Sequence, residues 1–313
     1  MATHVDDVFW GGTDIFEKKI VDTIRKTFKM SKENHSSFMY LGLFLEETPT
    51  GIILNQKDYV KELQKIEIQD ERSKQTNDEL NETEKHQLRS VIGQLNWLCT
   101  QTRPDISFGT CQASITYKDS TIKTIIAVNK TIRKLQNEEF DLKFVDLGDL
   151  RKCKFLVFSD ASYRNLLDGG SQGGYIIFLA NNDNKVIPIQ WQSRRIRRIV
   201  RSTLAAECLS LLDAVEAAFL LKCLLNEMLK DHTTDVKIES FIDNKSLYDA
   251  INTTKCVEDK RLRIDIASLR EKLENKEVSK VSWLDTRFQL ADCLTKSGAS
   301  SKGLLEVLKT NQL

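Results

Sequence analysis

The chain has 313 residues, 41% apolar and 29% charged, with 46 basic against 45 acidic side chains and a net charge of +1. That length accommodates two or more domains with proper apolar cores, and the near-neutral balance excludes a global cationic field, so any nucleic-acid surface must be a local patch. Cysteines at 99, 111, 153, 208, 223, 256 and 293 form no C-x-x-C pair and the histidines show no zinc spacing, which excludes a zinc module and predicts reduced, mostly buried thiols. With neither a signal-peptide pattern nor an apolar run of bilayer length, the expectation is an intracellular protein, cytoplasmic or nuclear, without a membrane partner.

Residues 1–12 (M-A-T-H-V-D-D-V-F-W-G-G) set Asp6 and Asp7 between two short β-favouring runs, the pattern of a hairpin tip; a solvated turn is the plainer reading. A helix pattern follows at 15–28. Residues 38–63 read as two strands, a turn at 47–51 and a short helix at 57–63. The stretch 66–85 turns polar and reads as a loose linker, ending in the capping pattern Asn81-Glu82-Thr83-Glu84, so a domain boundary is expected there. Residues 87–98 (Q-L-R-S-V-I-G-Q-L-N-W-L) have helical period. Thr102-Arg103-Pro104-Asp105 marks a break, and helices at 106–117 and 122–136 complete the group. Trp97 stands in an apolar helical set and reads as core ahead of a nucleic-acid contact, with the same ambiguity at Arg103.

Beyond the polar connector 146–152, the run Phe155-Leu156-Val157-Phe158-Ser159-Asp160 reads as a buried central strand ending in a carboxylate. The glycines of 168–174 (D-G-G-S-Q-G-G) admit a phosphate cradle or a flexible hairpin, and the hairpin is preferred. A strand at 186–192 leads into R-R-I-R-R-I-V-R, which holds Arg194, Arg195, Arg197, Arg198 and Arg201; it reads either as a solvated face or as a phosphate contact. Residues 202–230 are helical, with Leu204, Leu211, Val215, Ala218, Leu221 and Leu225 on one stripe and Glu207 inside it. A core-facing carboxylate is disfavoured by several kcal/mol unless paired or metal-bound, so Glu207 asks for a cation.

A second apolar run, 236–243, alternates with period two and also ends in an acid, Asp243. Asn244 then caps a helix at 246–251, with a substrate contact as its other reading. A charged helix at 257–276 and a strand at 280–284 follow. Asp292 falls in the first turn of a last helix, with Asp285 as its competitor for the same role. Asp160, Glu207, Asp243 and Asp292 thus form one oxygen-only donor set. Such a set suits two Mg²⁺ or Mn²⁺ ions about 4 Å apart, which serve phosphodiester hydrolysis without a covalent nucleophile.

The order strand-Asp, helix-Glu, strand-Asp, helix-Asp resembles ribonuclease H. Six strings are similar to its copia-like retrotransposon version: S-D-A-S-Y at 159–163, G-G-Y-I-I-F-L at 173–179, W-Q-S at 191–193, S-T-L-A-A-E-C at 202–208, D-N-K-S at 243–246 and T-R-F-Q-L-A-D-C-L-T-K at 286–296. The resemblance implies an α/β fold for 150–313, with a five-stranded mixed sheet and flanking helices, acting as an endoribonuclease on the RNA strand of RNA/DNA hybrids during reverse transcription. It implies that Asp160 bridges both ions, with Glu207 and Asp243 on one and Asp292 on the other. Ser162, Asn244 and the Glu207 helix would then lie near the 2′-hydroxyls. Where the family has His-Ile-Asp this chain has Arg263-Ile264-Asp265, so no accessory role for that histidine is expected and Asp265 reads as a surface acid.

Upstream, the Asp6-Asp7 hairpin with the strands after it resembles the last catalytic strand pair of a reverse transcriptase palm, with His4 where the family has Tyr. V-I-G-Q-L-N-W-L followed by T-R-P-D-I resembles the thumb and connection. The implied units are a truncated palm at 1–65, a helical thumb/connection-like region at 66–149 with the polar linker at 66–85, and the ribonuclease H-like domain at 150–313. Polymerisation also needs a third carboxylate and fingers, so Asp6 and Asp7 read as a vestigial metal pair. They would act only beside other Pol segments or an upstream reverse transcriptase chain. The rival readings are that composite polymerase and a catalytically inert nucleic-acid-binding remnant.

Overall fold

A computed structural model describes residues 1–5, 7–30, 33–229, 236–253 and 257–313. The short β-favouring runs at the start form an antiparallel hairpin of β1 (Ala2–His4) and β2 (Asp7–Phe9). A helical stretch follows as α1 (Asp14–Phe16), a π turn (Glu17–Val21) and α2 (Asp22–Thr27). The run F-M-Y-L-G-L-F-L-E does not form one strand. Leu41 and Gly42 both take positive φ, 50° and 73°, and fold it into a hairpin of β3 (Ser37–Tyr40) and β4 (Leu43–Thr48). β5 (Gly51–Asn55) and α3 (Lys57–Glu62) come next, so three strands stand where two are read from the sequence.

The stretch 66–85, expected to be a loose linker, is folded. Its few apolar residues go into the helical core, with Ile66 and Leu80 each 4% exposed. The Asn129 amide accepts from the Ile66 N–H at 2.9 Å and donates to its carbonyl at 2.8 Å. Arg72, on α4 (Asp70–Lys74), forks onto Glu84 at 3.1 Å through both nitrogens, and Glu84 completes the capping box with Asn81 that opens α5 (Glu82–Gln101). Polarity misleads here because a few apolar anchors and the Arg72–Glu84 pair are enough to hold the stretch on the helical core while most of its charges face solvent. α6 (Ser107–Ile115) and α7 (Ile122–Asn137) pack with α5 over Leu88, Leu95, Ile122, Ile125 and Ile132. β6 (Leu142–Val145) then returns to pair antiparallel with β5, closing a sheet in the order β3-β4-β5-β6.

The remaining strands are β7 (Lys154–Ser162), β8 (Gln172–Ala180), β9 (Val186–Arg195), β10 (Lys237–Ile242) and β11 (Lys280–Trp283). They form the expected five-stranded mixed sheet in the order β11-β10-β7-β8-β9; β10 runs parallel to both β7 and β11, whereas β8 and β9 are antiparallel. α8 (Thr203–Leu229), α9 (Lys245–Asn252) and α10 (Lys260–Glu274) cover one face, burying Val157, Ile177, Leu211 and Ile238. The other face carries Phe158, Ile176 and Phe178 under α11 (Lys302–Thr310) and the turn holding Ala291 and Leu294. β8, covered on both sides, is buried along its whole length, which is why its sequence is continuously apolar after the glycines.

The two halves are joined by specific bonds. Trp191 Nε1 donates to the Cys99 carbonyl at 2.6 Å, and Asn311 Nδ2 donates to the carbonyls of Lys143 and Val186, both at 2.9 Å. The described cysteines are free. Among the described residues no helix is long and apolar enough to cross a membrane.

Candidate metal centre

Because β7, β10 and β11 are parallel, their carboxyl-terminal ends share one edge of the sheet, the usual place for a site in such sheets. Asp160 lies near the end of β7, which runs on to Ser162 rather than stopping at the acid, and Asp243 follows the last residue of β10. β10 pairs with β7 only as far as Phe241 opposite Phe158. Beyond that rung the Ala161 N–H donates to the Glu207 carboxylate, which α8 brings to the gap. One oxygen from each of Asp160, Glu207 and Asp243 then lies within 4.8 Å of the other two.

Asp160 is fully buried and Glu207 is 5% exposed, and among the described residues Glu207 Oε2 has no hydrogen-bond partner. Burial pushes the Asp160 carboxyl up to about 6, against the pull of Lys296 and Thr295, with Asp243 and Asp292 adding to the rise. Glu207 is driven well above the ordinary carboxylate range by burial and then by Asp160 and Asp243. Crowded acids of this kind are relieved by a cation. The acid cluster is able to hold a divalent ion.

Asp292 joins this cluster indirectly. It opens a single 3₁₀ turn (Asp292–Leu294) instead of the last α-helix, since α11 begins only at Lys302 after a loop with Gly298 at φ 77°. Its carboxylate is paired with Lys296, whose Nζ also lies 3.3 Å from Asp160 Oδ1. The competitor Asp285 is engaged elsewhere: it forks with Arg287 at 3.0 and 3.1 Å and caps its own turn (Thr286–Phe288).

The segment 286–296 is fastened to the sheet by residues to which sequence reasoning assigns no role. Gln289 Nε2 donates to the Ser159 carbonyl at 3.0 Å, Ser193 Oγ to the Leu294 carbonyl at 2.6 Å, and Asn165 Nδ2 to the Thr295 carbonyl at 2.8 Å. The Thr295 hydroxyl donates to Asp160 Oδ2, and Thr286 Oγ1 to Asp243 Oδ2 at 2.8 Å. Ser210 Oγ donates to the Asp160 carbonyl at 2.8 Å from the opposite face. Gly173 and Gly174 lie within β8 rather than in the hairpin turn, and their missing side chains admit Ser210 on one face and Leu294 on the other. The i, i+4 spacing of Asp292 and Lys296 is the one local signal that would have found the lysine.

Register sets Ser162, Gln172 and Arg195 two residues beyond the row Asp160, Gly174 and Ser193. Arg194 pairs with Asp213 at 2.5 Å, Arg195 with Asp168, and Arg198 forks onto Asp265 at 2.9 and 3.0 Å, so Asp265 is a partner of the basic stretch rather than an idle surface acid. Arg197 and Arg201 are exposed. Asn244 Oδ1 accepts from the Leu247 N–H at 2.9 Å and caps α9. Asp7 is exposed in β2 opposite His4, while Asp6 lies outside the described residues. Trp97 is half-buried beside Gly42. Arg103 is 3% exposed, bound to Asp105, and stands over the Phe140 ring, so it faces the core.

No family model matches the chain. Over 312 residues it is 25% identical to the retrovirus-related Pol polyprotein from transposon RE1 of Arabidopsis thaliana, an alignment covering 95% of this chain and 20% of the relative. The corresponding RE2 polyprotein of the same plant is 24% identical with the same coverage. Its relatives are transposon Pol polyproteins. The chain spans about one fifth of the length of these Pol relatives. A solved structure of the foamy viral protease-reverse transcriptase in complex with an RNA/DNA hybrid matches 94% of this chain and 36% of that one, at a TM-score of 0.50 and 15% identity. The chain therefore shares the fold of the matched part of that retroviral protease-reverse transcriptase.

Proposed function

We propose that this chain is the ribonuclease H-bearing part of a copia-type transposon Pol polyprotein and hydrolyses the RNA strand of RNA/DNA hybrids with two divalent ions, Mg²⁺ or Mn²⁺. The observation that carries this reading is the convergence of Glu207 from α8 with Asp160 and Asp243 from parallel strands, within 4.8 Å, with a buried Glu207 oxygen left unpartnered among the described residues. An oxygen-only donor set with a free, buried acceptor fits a hard cation. Asp160, Glu207 and Asp243 would hold one ion, and Asp160 with Asp292 a second. Bound there, the ions would activate a water and stabilise charge on the leaving oxygen.

The chain's own part is orientation. Thr286 fixes one oxygen of Asp243, Thr295 one of Asp160, and the Ala161 N–H holds Glu207, leaving the remaining oxygens for the common centre. The exposed Arg197 and Arg201 flank the same edge and suit the phosphates of a polyanion. In this reading 150–313 carry the hydrolase, 66–149 the thumb- and connection-like support, and 1–65 the end of a palm whose sheet β6 completes. The foamy viral structure was solved with a hybrid, which supports that substrate class.

The test is cleavage of a labelled RNA strand in an RNA/DNA hybrid by the intact chain and by Asp160→Asn. Mg²⁺- or Mn²⁺-dependent cleavage, lost in the variant and absent on duplex DNA, is expected. Hybrid binding without cleavage by well-folded protein in either metal would overturn the proposal in favour of an inert binding remnant.

A further inference from the structure

Lys296 puts an ammonium inside the acid cluster. Its Nζ lies 3.3 Å from Asp160 Oδ1 and is paired with Asp292 Oδ1, so one cation spans the two acids. The geometry is not that of a solvated surface pair, which would contribute little, because the Asp160 side chain is wholly buried and that of Lys296 is 37% exposed. The backbone that carries the lysine is also pinned. The Lys296 N–H donates to the Asp292 carbonyl at 3.2 Å, and the preceding Thr295 is held through its carbonyl by Asn165 and through its hydroxyl to Asp160. Only the four-carbon stem of Lys296 is left to move.

An ammonium is a compact point charge with three donors, able to satisfy carboxylates on two sides at once. A divalent ion between the same acids needs metal-oxygen distances of about 2.0–2.6 Å, which the intervening Nζ blocks by position and opposes by charge. We propose that Lys296 is the built-in counter-cation of this centre: it offsets part of the charge of Asp160 and Asp292 while metal is absent and is displaced from between them when a divalent ion enters. The inference rests on the metal-centre reading above and adds an exchange step to it. The acids stay assembled without metal, and metal affinity is set by competition with a tethered charge.

The experiment is a thermal-melting series on the full chain, wild type, Lys296→Met and Lys296→Arg, in EDTA and across a Mg²⁺ titration with no nucleic acid present. Lys296→Met is expected to melt below wild type in EDTA and to reach half-maximal Mg²⁺ stabilisation at about tenfold lower Mg²⁺, the change that ~1.4 kcal/mol of relieved competition produces. Lys296→Arg keeps the charge and is expected to need at least as much Mg²⁺ as wild type. Equal half-saturating Mg²⁺ in wild type and Lys296→Met would overturn the counter-cation while leaving the metal centre intact. No Mg²⁺ response in any of the three would instead bring down the metal-centre reading, and the exchange with it. Should Lys296→Met fail to fold, Lys296→Gln takes its place: half-saturation below wild type supports the exchange, and half-saturation equal to or above wild type overturns it.

Discussion

Gly174 and Leu294 meet at a distance that leaves no room for a side chain on the glycine. A Cβ at Gly174 would stand 2.8 Å from Leu294 Cβ and 2.9 Å from Thr295 Cγ2. The turn carrying Asp292 and Lys296 therefore approaches the sheet only because β8 has a glycine on that row, opposite Asp160. Gly174→Ala is expected to cost about 1–3 kcal/mol, the range for overpacking a filled site. It should also weaken Mg²⁺ binding, since the turn must back away from Asp160. Chemical denaturation and Mg²⁺ titration check this; unchanged stability and metal response would show that the turn moves freely.

The helical half supports the same turn from the other side. The Pro104–Ile106 turn neighbours Asp292–Leu294, and it begins with a buried ion network in which Arg103 forks onto Asp105 at 2.8 and 3.0 Å and Lys134 reaches the same acid at 2.9 Å. Burial works to raise the Asp105 carboxyl, but Arg103 and Lys134 hold it below the usual carboxylate range. Arg103→Met leaves a buried carboxylate short of its main partner and should destabilise the chain by about 3–5 kcal/mol. The double variant Arg103→Met/Asp105→Leu should lose distinctly less, as read by urea melts of both.

Proton linkage at the acid cluster has a definite sign. Asp160 titrates at about 6 in the folded chain, whereas an unfolded aspartate lies near ~3.9. A raised acid holds its proton more tightly when folded, so its ionisation destabilises the fold: the cost is absent below pH ~4, grows with pH, and is complete above about 6. Glu207 shifts in the same direction. Metal-free protein should therefore lose melting temperature across that window, and Asp160→Asn should lose less. Mg²⁺ needs ionised ligands, so its stabilising effect should fade as pH drops through about 6. Melts in EDTA and in Mg²⁺ across this pH range check both statements.

The basic stretch contains arginines held in ion pairs among the described residues and others that are exposed, and the division predicts different salt behaviour. Arg198 is committed to Asp265, whereas Arg197 is exposed. Arg197→Ala is expected to lower the slope of log K against log salt for hybrid binding by about 1, the effect of losing one phosphate contact. Arg198→Ala should change it less. Equal slopes for both variants and wild type would remove the arginines from the nucleic-acid surface.

The architecture around the site was legible locally. A continuous apolar run ending in Asp160, a period-two run ending in Asp243, and Glu207 inside an apolar helical stripe already imply strands and a helix that present acids, because such patterns are a property of neighbours in the chain. Asn244 as a cap was legible for the same reason. Asp292 was found by string resemblance, but its setting on a 3₁₀ turn was not, since α11 starts ten residues later. Nor was the folding of 66–85, which rests on a few buried anchors such as Ile66 and Leu80 and on the Arg72–Glu84 pair that polarity alone does not identify.

What the chain's pattern determined by itself was the two strands and the helix that present Asp160, Asp243 and Glu207. Only the tertiary structure decided how those acids are held and what neutralises them. The Lys296 ammonium meets Asp160 across 136 positions of sequence, and Gly174 admits Leu294 from a different part of the chain. Contacts of that span depend on the path of the whole backbone and on the low polarity of the interior, and no periodicity within a dozen residues records them.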